Sequence, residues 1–403
     1  MSVGVQIADS KPAAAQSFLR QSGIRSLTIV SADSETLVSF RGYLIDSLRA
    51  EGISVGYVGP AVDAATREWL AARAVRIHEI PIRRNTLAPL SDIRTLLALL
   101  RVLRRTRPDA VLVMRIKSSI YGLIAAALAG VPYRFALVTG LGYAFTEQPG
   151  NRRWRMLNRI VRGLYRLGLR HATAAAFQNA DDERDFRRWR LLPDSVPSTV
   201  VNGSGVDTAH YAMSALPGGV SCLFAARLLA DKGVAEFIEA ARIVKAQHPD
   251  AVFTVLGPAE TNPSAFPMRR LKMEAAKGVI DYRGAVSDIR PFMKACRIFV
   301  HPSYYREGVP RSVLEAMAMG RPVITTDVPG CRDTVEPGRN GLLVPPRDAQ
   351  ALAAAILELA DDPARAARMG QESRKIAEEK YEVRKVTGDL LTFYGRAALR
   401  HGA

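Results

Sequence analysis

The residues Ile298-Phe-Val-His301-Pro-Ser303-Tyr-Tyr-Arg-Glu307-Gly308-Val309-Pro310-Arg311-Ser312-Val-Leu-Glu315-Ala-Met-Ala-Met-Gly320-Arg-Pro322-Val-Ile-Thr325 change pattern twice within one stretch. The apolar run 298–301 reads as a buried strand, Arg311 to Met319 as a helix and Pro322 to Thr325 as a second strand, so together they predict a βαβ unit with parallel strands. Pro310 stands at or near the helix start, where its missing N–H is harmless and the unpaired backbone N–H groups of the first turn attract anions. Glu307 in the loop and Glu315 in the first turns can face one ligand. Two readings stay open for these residues alone. They form a site for an anion with hydroxyl groups nearby, or an exposed loop ahead of an ordinarily charged helix.

The same alternation extends in both directions. Downstream of residue 220, strands are expected at Ser221 to Ala226, Ala251 to Leu256, Val279 to Tyr282 and Gly341 to Val344, with helices at Ala235 to Gln247 and Asp288 to Cys296. Upstream, Ser26 to Ser31, Val55 to Val58, Val75 to Ile82, Ala110 to Met114, Phe135 to Thr139 and Ala174 to Gln178 read as strands, with helices such as Ser39 to Glu51 and Asp92 to Arg107 between them. Residues 1–24 read as a poorly specified arm. The Pro- and Gly-rich stretch Pro193 to Gly219 reads as a linker. The expectation is an α/β chain of two doubly wound domains, 1–210 and 211–380, with a last helix in 381–403 that packs back on the first.

A length of 403 residues suits two such domains. Composition excludes disorder and collagen-like repeats, since 48% of residues are hydrophobic and 24% charged. The formal charge of +17 points to a polyanionic partner: nucleic acid, an anionic membrane or a phosphorylated substrate. Residues 1–210 hold 29 basic and 17 acidic side chains, so most of the excess lies in the first domain. Cys222, Cys296 and Cys331 form neither a disulfide framework nor a short-spaced metal motif, and a reducing compartment is expected. No signal peptide or membrane-spanning helix is expected. The histidines form no triad or zinc motif, and His301, just ahead of the Glu307 loop, lines a site or plays a structural part. Asp181-Asp182 reads as a helix start rather than a metal ligand. Gly140-x-Gly142 lacks the third glycine of a dinucleotide fingerprint.

Strand Ser221 to Ala226 leads into Arg227, and Lys232-Gly233 follows after four residues. Both cations then stand at the carboxyl end of a parallel strand, where open α/β sheets bind ligands and where an arginine fork and a lysine can clamp a diphosphate. Together with the Glu307 loop they favour a nucleotide-diphosphate site.

The Glu307/Glu315 pair, the Gly308-Val-Pro310 loop, Arg227 with Lys232-Gly233, and the Gly320-Arg-Pro322 turn resemble the retaining glycosyltransferases of family four, which have the GT-B fold. Thr139-Gly140-Leu-Gly142-Tyr-Ala-Phe145-Thr146, Phe177-Gln-Asn179 and Asn202-Gly-Ser-Gly205-Val-Asp207 are similar to members that act on polyprenyl-diphosphate-linked sugars. The resemblance implies two Rossmann-like domains facing a central cleft, with the acceptor on the first and the nucleotide sugar on the second. It implies Arg227 and Lys232 on the donor diphosphate, Glu315 on the ribose and Glu307 on the transferred sugar. Backbone N–H groups of the segment Gly308, Val309, Pro310, Arg311 and Ser312 meet sugar and phosphate, and the base lies near Arg283 and Val286. Glu307, Arg227 and Lys232 are the implied catalytic residues, with no metal and no cofactor beyond the donor substrate. The chain departs from the family in the first domain. No histidine stands at Gly140 to Gly142, and Ser31-Ala-Asp-Ser-Glu35 replaces a glycine-rich turn.

Arginines at 152, 155, 159, 162, 166 and 170 recur in steps of three and four, opposite Trp154, Leu157, Val161, Leu164 and Tyr165. Arg152, Arg155, Arg159, Arg162 and Arg166 thus form one face of a basic amphipathic helix, open to lipid phosphates or the acceptor diphosphate, or else merely solvated. The expected partners are a nucleotide sugar, a lipid-diphosphate-linked acceptor and the anionic inner face of the cell membrane, not nucleic acid. The expected reaction is retaining transfer of a hexosamine from a UDP-sugar, with a GDP-mannose donor as the alternative. A basic nucleic-acid-binding protein is the alternative from another class.

Overall fold

In the computed structural model, residues 18–34, 37–82, 89–141, 152–260 and 264–402 are described. The chain forms two compact units. Unit 1 runs to Ser204 and takes up the chain again from Arg384, and unit 2 is Gly205–Val383.

Unit 1 is built on strands β1 (Ser26–Ser31), β2 (Ser54–Gly59), β3 (Arg76–Glu79), β4 (Ala110–Met114), β5 (Tyr133–Val138), β6 (Ala174–Phe177) and β7 (Ser198–Val200). They form one parallel sheet in the order β3-β2-β1-β4-β5-β6-β7. Chain order reverses between β1 and β4, and Ser31 is level with Met114 there. The central strands are apolar on both sides because both faces are covered. Successive residues part to opposite cores: Val111, Val113, Ala136 and Val138 enter one, and Leu112, Met114, Phe135 and Leu137 the other. The first core is closed by α4 (Pro89–Thr106), α5 (Leu123–Leu128), α6 (Arg152–Leu169) and α7 (Ala180–Arg188). The second is closed by α1 (Phe18–Gln21), α2 (Leu37–Ala50), α3 (Ala64–Ala72) and the last helix, α14 (Val383–Gly402). Tyr394 of α14 stacks on Phe135 at 4.5 Å and donates to the carbonyl of Ala136 at 2.8 Å.

Unit 2 repeats the scheme with β8 (Ser221–Ala225), β9 (Val252–Leu256), β10 (Asp281–Gly284), β11 (Ile298–His301), β12 (Val323–Thr326) and β13 (Gly341–Val344), in the parallel order β10-β9-β8-β11-β12-β13. Its helices are α8 (Val234–Lys245), α9 (Met268–Ala276), α10 (Arg290–Ala295), α11 (Arg311–Ala318), α12 (Ala349–Asp361) and α13 (Pro363–Lys380).

Several elements differ from the sequence expectation. The strand expected from Val75 to Ile82 is only β3, an edge strand whose end residues are exposed. The stretch expected to be all linker contributes β7, paired with β6 through Ala175 and Ser198. Its Ser-Thr-Val run has no apolar alternation to reveal it. Helices α9, α12 and α13 also lie outside the predicted elements. The N-caps of α12 and α13 are nevertheless regular, with Asp348 and Asp362 accepting from the N–H groups of Ala351 and Arg365.

Candidate active site

The strand order of unit 2 reverses between β8 and β11, and ligands of open α/β sheets bind at the carboxyl ends flanking such a reversal. After β8 the chain makes a tight turn over Ala230–Lys232 and enters α8 through Gly233, whose φ is +79°. A Cβ there would lie 2.2 Å from the carbonyl oxygen of Pro302, so only glycine lets this turn close on the loop that follows β11. Gly330 does the same from the far side, where a Cβ would meet the Gly308 oxygen at 2.3 Å. The segment from Pro302 to Gly308 is thereby held between two backbone contacts. It ends at Pro310, which caps α11.

Glu307 is the centre of this segment. Lys232 Nζ donates to its Oε2 at 2.6 Å, Ser303 Oγ to Oε1 at 2.8 Å, and His301 Nε2 lies 3.1 Å from Oε1. The Lys232 and Glu307 side chains are only 8% and 16% exposed, so their charges meet largely out of water. Burial works against the charged carboxylate, but the Lys232 ammonium and the hydrogen bonds outweigh it and hold Glu307 well below the usual carboxylate range. Burial lowers the pKa of His301 more than Glu307 raises it. The ring is therefore neutral and donates from Nε2, while Nδ1 is buried without a partner. Of the four groups, lysine and glutamate carry the charge.

Glu315 sits in the second turn of α11. Tyr211 Oη donates to its Oε1 at 2.9 Å and Arg311 Nε at 3.0 Å. Burial, then the Glu315 charge, raises the pKa of Tyr211, which keeps its hydroxyl protonated as a donor. Arg227, just past β8, is paired with Glu260 at 3.3 Å and is 36% exposed. Arg283 is paired with Asp281 at 2.7 Å on edge strand β10, and Val286 is partly buried against the core that includes α11. Gly308, Val309 and Pro310 are buried, and Arg311 and Ser312 open α11.

The structure thus brings Lys232 to Glu307, and Arg311 to Glu315. It engages Arg227 and Arg283 with acidic neighbours that the sequence reading did not name. Tyr211 and Glu260 were missed because the fold, not spacing, ties them to Glu315 and Arg227; Ser303, four residues before Glu307, reads only as a loop residue.

His301, Glu307 and Cys331 place donor atoms within 4.8 Å of one another, a set able to hold a cation. The Lys232 ammonium already neutralises the carboxylate of that set.

In unit 1, Gly140 follows β5 with φ +113°. Gly142 and the side chain of Arg152 lie outside the described residues. On α6, Val161 and Tyr165 are buried, and Arg155 and Arg159 are exposed. Arg162 lies over the Trp189 ring at 4.1 Å, and Arg166 donates to the carbonyls of Arg190 and Trp189 at 2.7 and 3.2 Å. Two members of the arginine row therefore fasten α6 to the end of α7. Beside the row, Met156, Ile160 and Leu167 are exposed. Asp181 and Asp182 stand in the first turn of α7, and Asn179 caps it by accepting from the Asp182 N–H at 2.7 Å. No helix among the described residues is long and apolar enough to cross a membrane.

Two family models match the chain, one in each unit: "Glycosyl transferase 4-like domain" over residues 40–203 and "Glycosyl transferases group 1" over residues 219–362. Sucrose-phosphate synthase from Thermosynechococcus elongatus superposes with a TM-score of 0.76 at 18% identity, covering 92% of this chain and 98% of that one. The chain is a glycosyltransferase of the GT-B fold. HepE from Anabaena, solved with UDP and glucose, has a TM-score of 0.74 at 17% identity over 92% of the glycosyltransferase and all (100%) of HepE. In sequence, the glycosyltransferase is 28% identical to the N,N'-diacetylbacillosaminyl-diphospho-undecaprenol alpha-1,3-N-acetylgalactosaminyltransferase of Campylobacter jejuni, over 81% of its own length and 87% of the relative's. It is 25% identical to the UDP-Gal:alpha-D-GlcNAc-diphosphoundecaprenol alpha-1,3-galactosyltransferase of Escherichia coli, over 72% and 76%.

Proposed function

We propose that the glycosyltransferase moves a hexosamine from a UDP-sugar, with retention, to a saccharide carried on polyprenyl diphosphate at the cytoplasmic membrane face. The observation that carries the reading is the nearly buried Lys232–Glu307 pair beside the start of α11, at the strand reversal of unit 2. Loss of a nucleoside diphosphate develops negative charge on the leaving oxygens. A preorganised ammonium, the Arg227 guanidinium and the N–H groups opening α11 stabilise that charge, the largest service such a site can render. Glu307, held below the usual carboxylate range, is anionic near neutral pH and accepts from the hydroxyls of the donor sugar while keeping Lys232 in place. Attack from the face the diphosphate leaves lets that diphosphate take the acceptor's proton, so no side chain need act as base. The acceptor class is supported by the two relatives named for undecaprenyl-diphosphate-linked sugars.

A screen of UDP-, GDP- and ADP-sugars with a short polyprenyl-diphosphate saccharide, run in EDTA, tests this. Transfer of a hexosamine from UDP, with the anomeric configuration kept and no loss to the chelator, is the expected result. GDP-mannose turnover would replace the donor, and a strict divalent-ion requirement would remove the neutralisation scheme.

Membrane attachment is assigned to the outward side of α6, where Arg155 and Arg159 flank exposed Met156 and Ile160. Each arginine near an anionic surface contributes about 1 kcal/mol. Arg155→Glu with Arg159→Glu is expected to lower partition onto vesicles with 30% anionic lipid by about tenfold or more at low salt. Donor hydrolysis should be unchanged. Unaltered sedimentation would mean that these arginines are only solvated.

A further inference from the structure

In unit 1 the strand order reverses between β1 and β4, and the two strands end level with each other. Asp33 follows the first and Arg115 the second, and Arg115 Nη2 donates to Asp33 Oδ2 at 2.7 Å. The Asp33 side chain is 2% exposed, whereas that of Arg115 is 35% exposed. The carboxylate is thus the buried anchor of the pair and the guanidinium is the part that reaches solvent. Lys117, two residues on, is engaged elsewhere, donating at 2.7 Å to Asp92, which also accepts from Tyr121.

This place is locally unfavourable twice over. Arg115 has φ +73°, a left-handed conformation natural to glycine. Ala74, Arg107 and Arg190 share positive φ but close the ends of α3, α4 and α7, where that geometry is ordinary; Arg115, like Arg347 between β13 and α12, instead follows a strand. Immediately beyond it the chain takes a π-helical turn over Ser118–Gly122, in which Ser118 Oγ and Ser119 Oγ are buried with no hydrogen-bond partner. Backbone strain and unpaired polar groups gathered at a strand reversal are features that cluster at ligand-binding positions.

We propose that Asp33 and Arg115 form an anion subsite of unit 1, in which Asp33 fixes the guanidinium and Arg115 takes the phosphoryl oxygens of a diphosphate-bearing acceptor. The identity of the acceptor rests on the function proposed above; the anion chemistry of the pair does not. An arginine so held presents its donors as a preorganised fork suited to tetrahedral oxyanions. Asp33 lies within Ser31-Ala-Asp-Ser-Glu35, where the chain departs from a glycine-rich turn.

The strain supplies the test. Arg115→Gly relieves the backbone but strands Asp33, so it is paired with Asp33→Asn. The double variant is expected to melt at or above the wild-type temperature. With the donor site saturated by UDP, its affinity for inorganic pyrophosphate should fall at least tenfold, and its KM for the polyprenyl-diphosphate saccharide should rise at least tenfold at unchanged donor hydrolysis. Arg115→Lys keeps a charge for Asp33 without the fork, and should raise that KM severalfold, which serves if the double variant folds poorly. Wild-type KM and pyrophosphate affinity in the variants would make Arg115 only the counter-ion of Asp33 and overturn the proposal. Failure of the acceptor reading would look different, with no lipid-diphosphate turnover in the wild type but pyrophosphate affinity still dependent on Arg115.

Discussion

Lys232→Ala is expected to lower sugar transfer by about a hundredfold or more and to destabilise unit 2 by about 3–5 kcal/mol, the range found when one partner of a buried ion pair is removed. Both effects follow from one position. The ammonium lies 2.6 Å from a carboxylate that is only 16% exposed, so its removal strands a buried charge. In the function proposed above it is also the cation that meets the leaving diphosphate. The two roles separate in Lys232→Met with Glu307→Gln, where the stranded charge is removed as well. Chemical denaturation should then show most of the lost stability restored, while transfer stays at the level of the single variant. Restored transfer in the double variant would mean that Lys232 serves only to neutralise Glu307. The pH dependence has a definite sign. Because the folded pKa of Glu307 lies below its unfolded value, its contribution to stability is present above the ordinary carboxylate range and fades as pH falls through the folded pKa.

The second large effect concerns a residue with no part in the chemistry. Arg321 is fully buried, and its guanidinium donates to the carbonyls of Cys296, Met319, Ala215 and Ser214 and to the Ser214 hydroxyl. It ties the segment entering unit 2 to the end of α11 and to Cys296, which closes α10. Arg321→Leu keeps much of the volume but leaves several buried carbonyls unpaired, each costing about 1–3 kcal/mol where water cannot reach it. A loss of about 3–5 kcal/mol is expected, read as a fall of roughly 6–20 °C in the melting of unit 2. Nucleotide affinity per folded molecule should stay near normal. A change of under about 1 kcal/mol would mean that water replaces the guanidinium.

Arg321 also shows where sequence reading stops. In Gly320-Arg-Pro322 it looks like a turn residue, and nothing in its neighbours says that its partners lie at 214, 215 and 296. Strands β4 and β11 were legible to the residue because each is a short apolar run covered on both faces, and β13 because its apolar run stands between turn residues. By contrast, β7 is a three-residue edge strand with polar character, and its existence depends on β6 lying beside it. The site was legible in part. Glu307, Glu315 and Lys232 stand in recognisable local patterns, but the Lys232–Glu307 contact joins positions 75 apart in the chain and arises only when Gly233 and Gly330 let three loops close on one another. The arginine row of α6 was visible as a periodicity. That Arg162 and Arg166 fasten the helix to α7 was not, since Trp189 and Arg190 belong to a separate element.

The placement of α14 bears on biosynthesis. Leu390, Leu391, Tyr394, Ala397 and Ala398 complete a core whose other members come mostly from the first half of the chain. They leave the ribosome only after all of unit 2, 205–383, has been made. Synthesis proceeds at about 5–20 residues per second, so the N-terminal unit waits on the order of ten seconds with one sheet face only partly covered, while the later unit is contiguous and free to fold first. The unit made second is thus the first whose core can be complete, and a chain terminated shortly after residue 383 would leave unit 2 whole and the older unit as the chaperone's client.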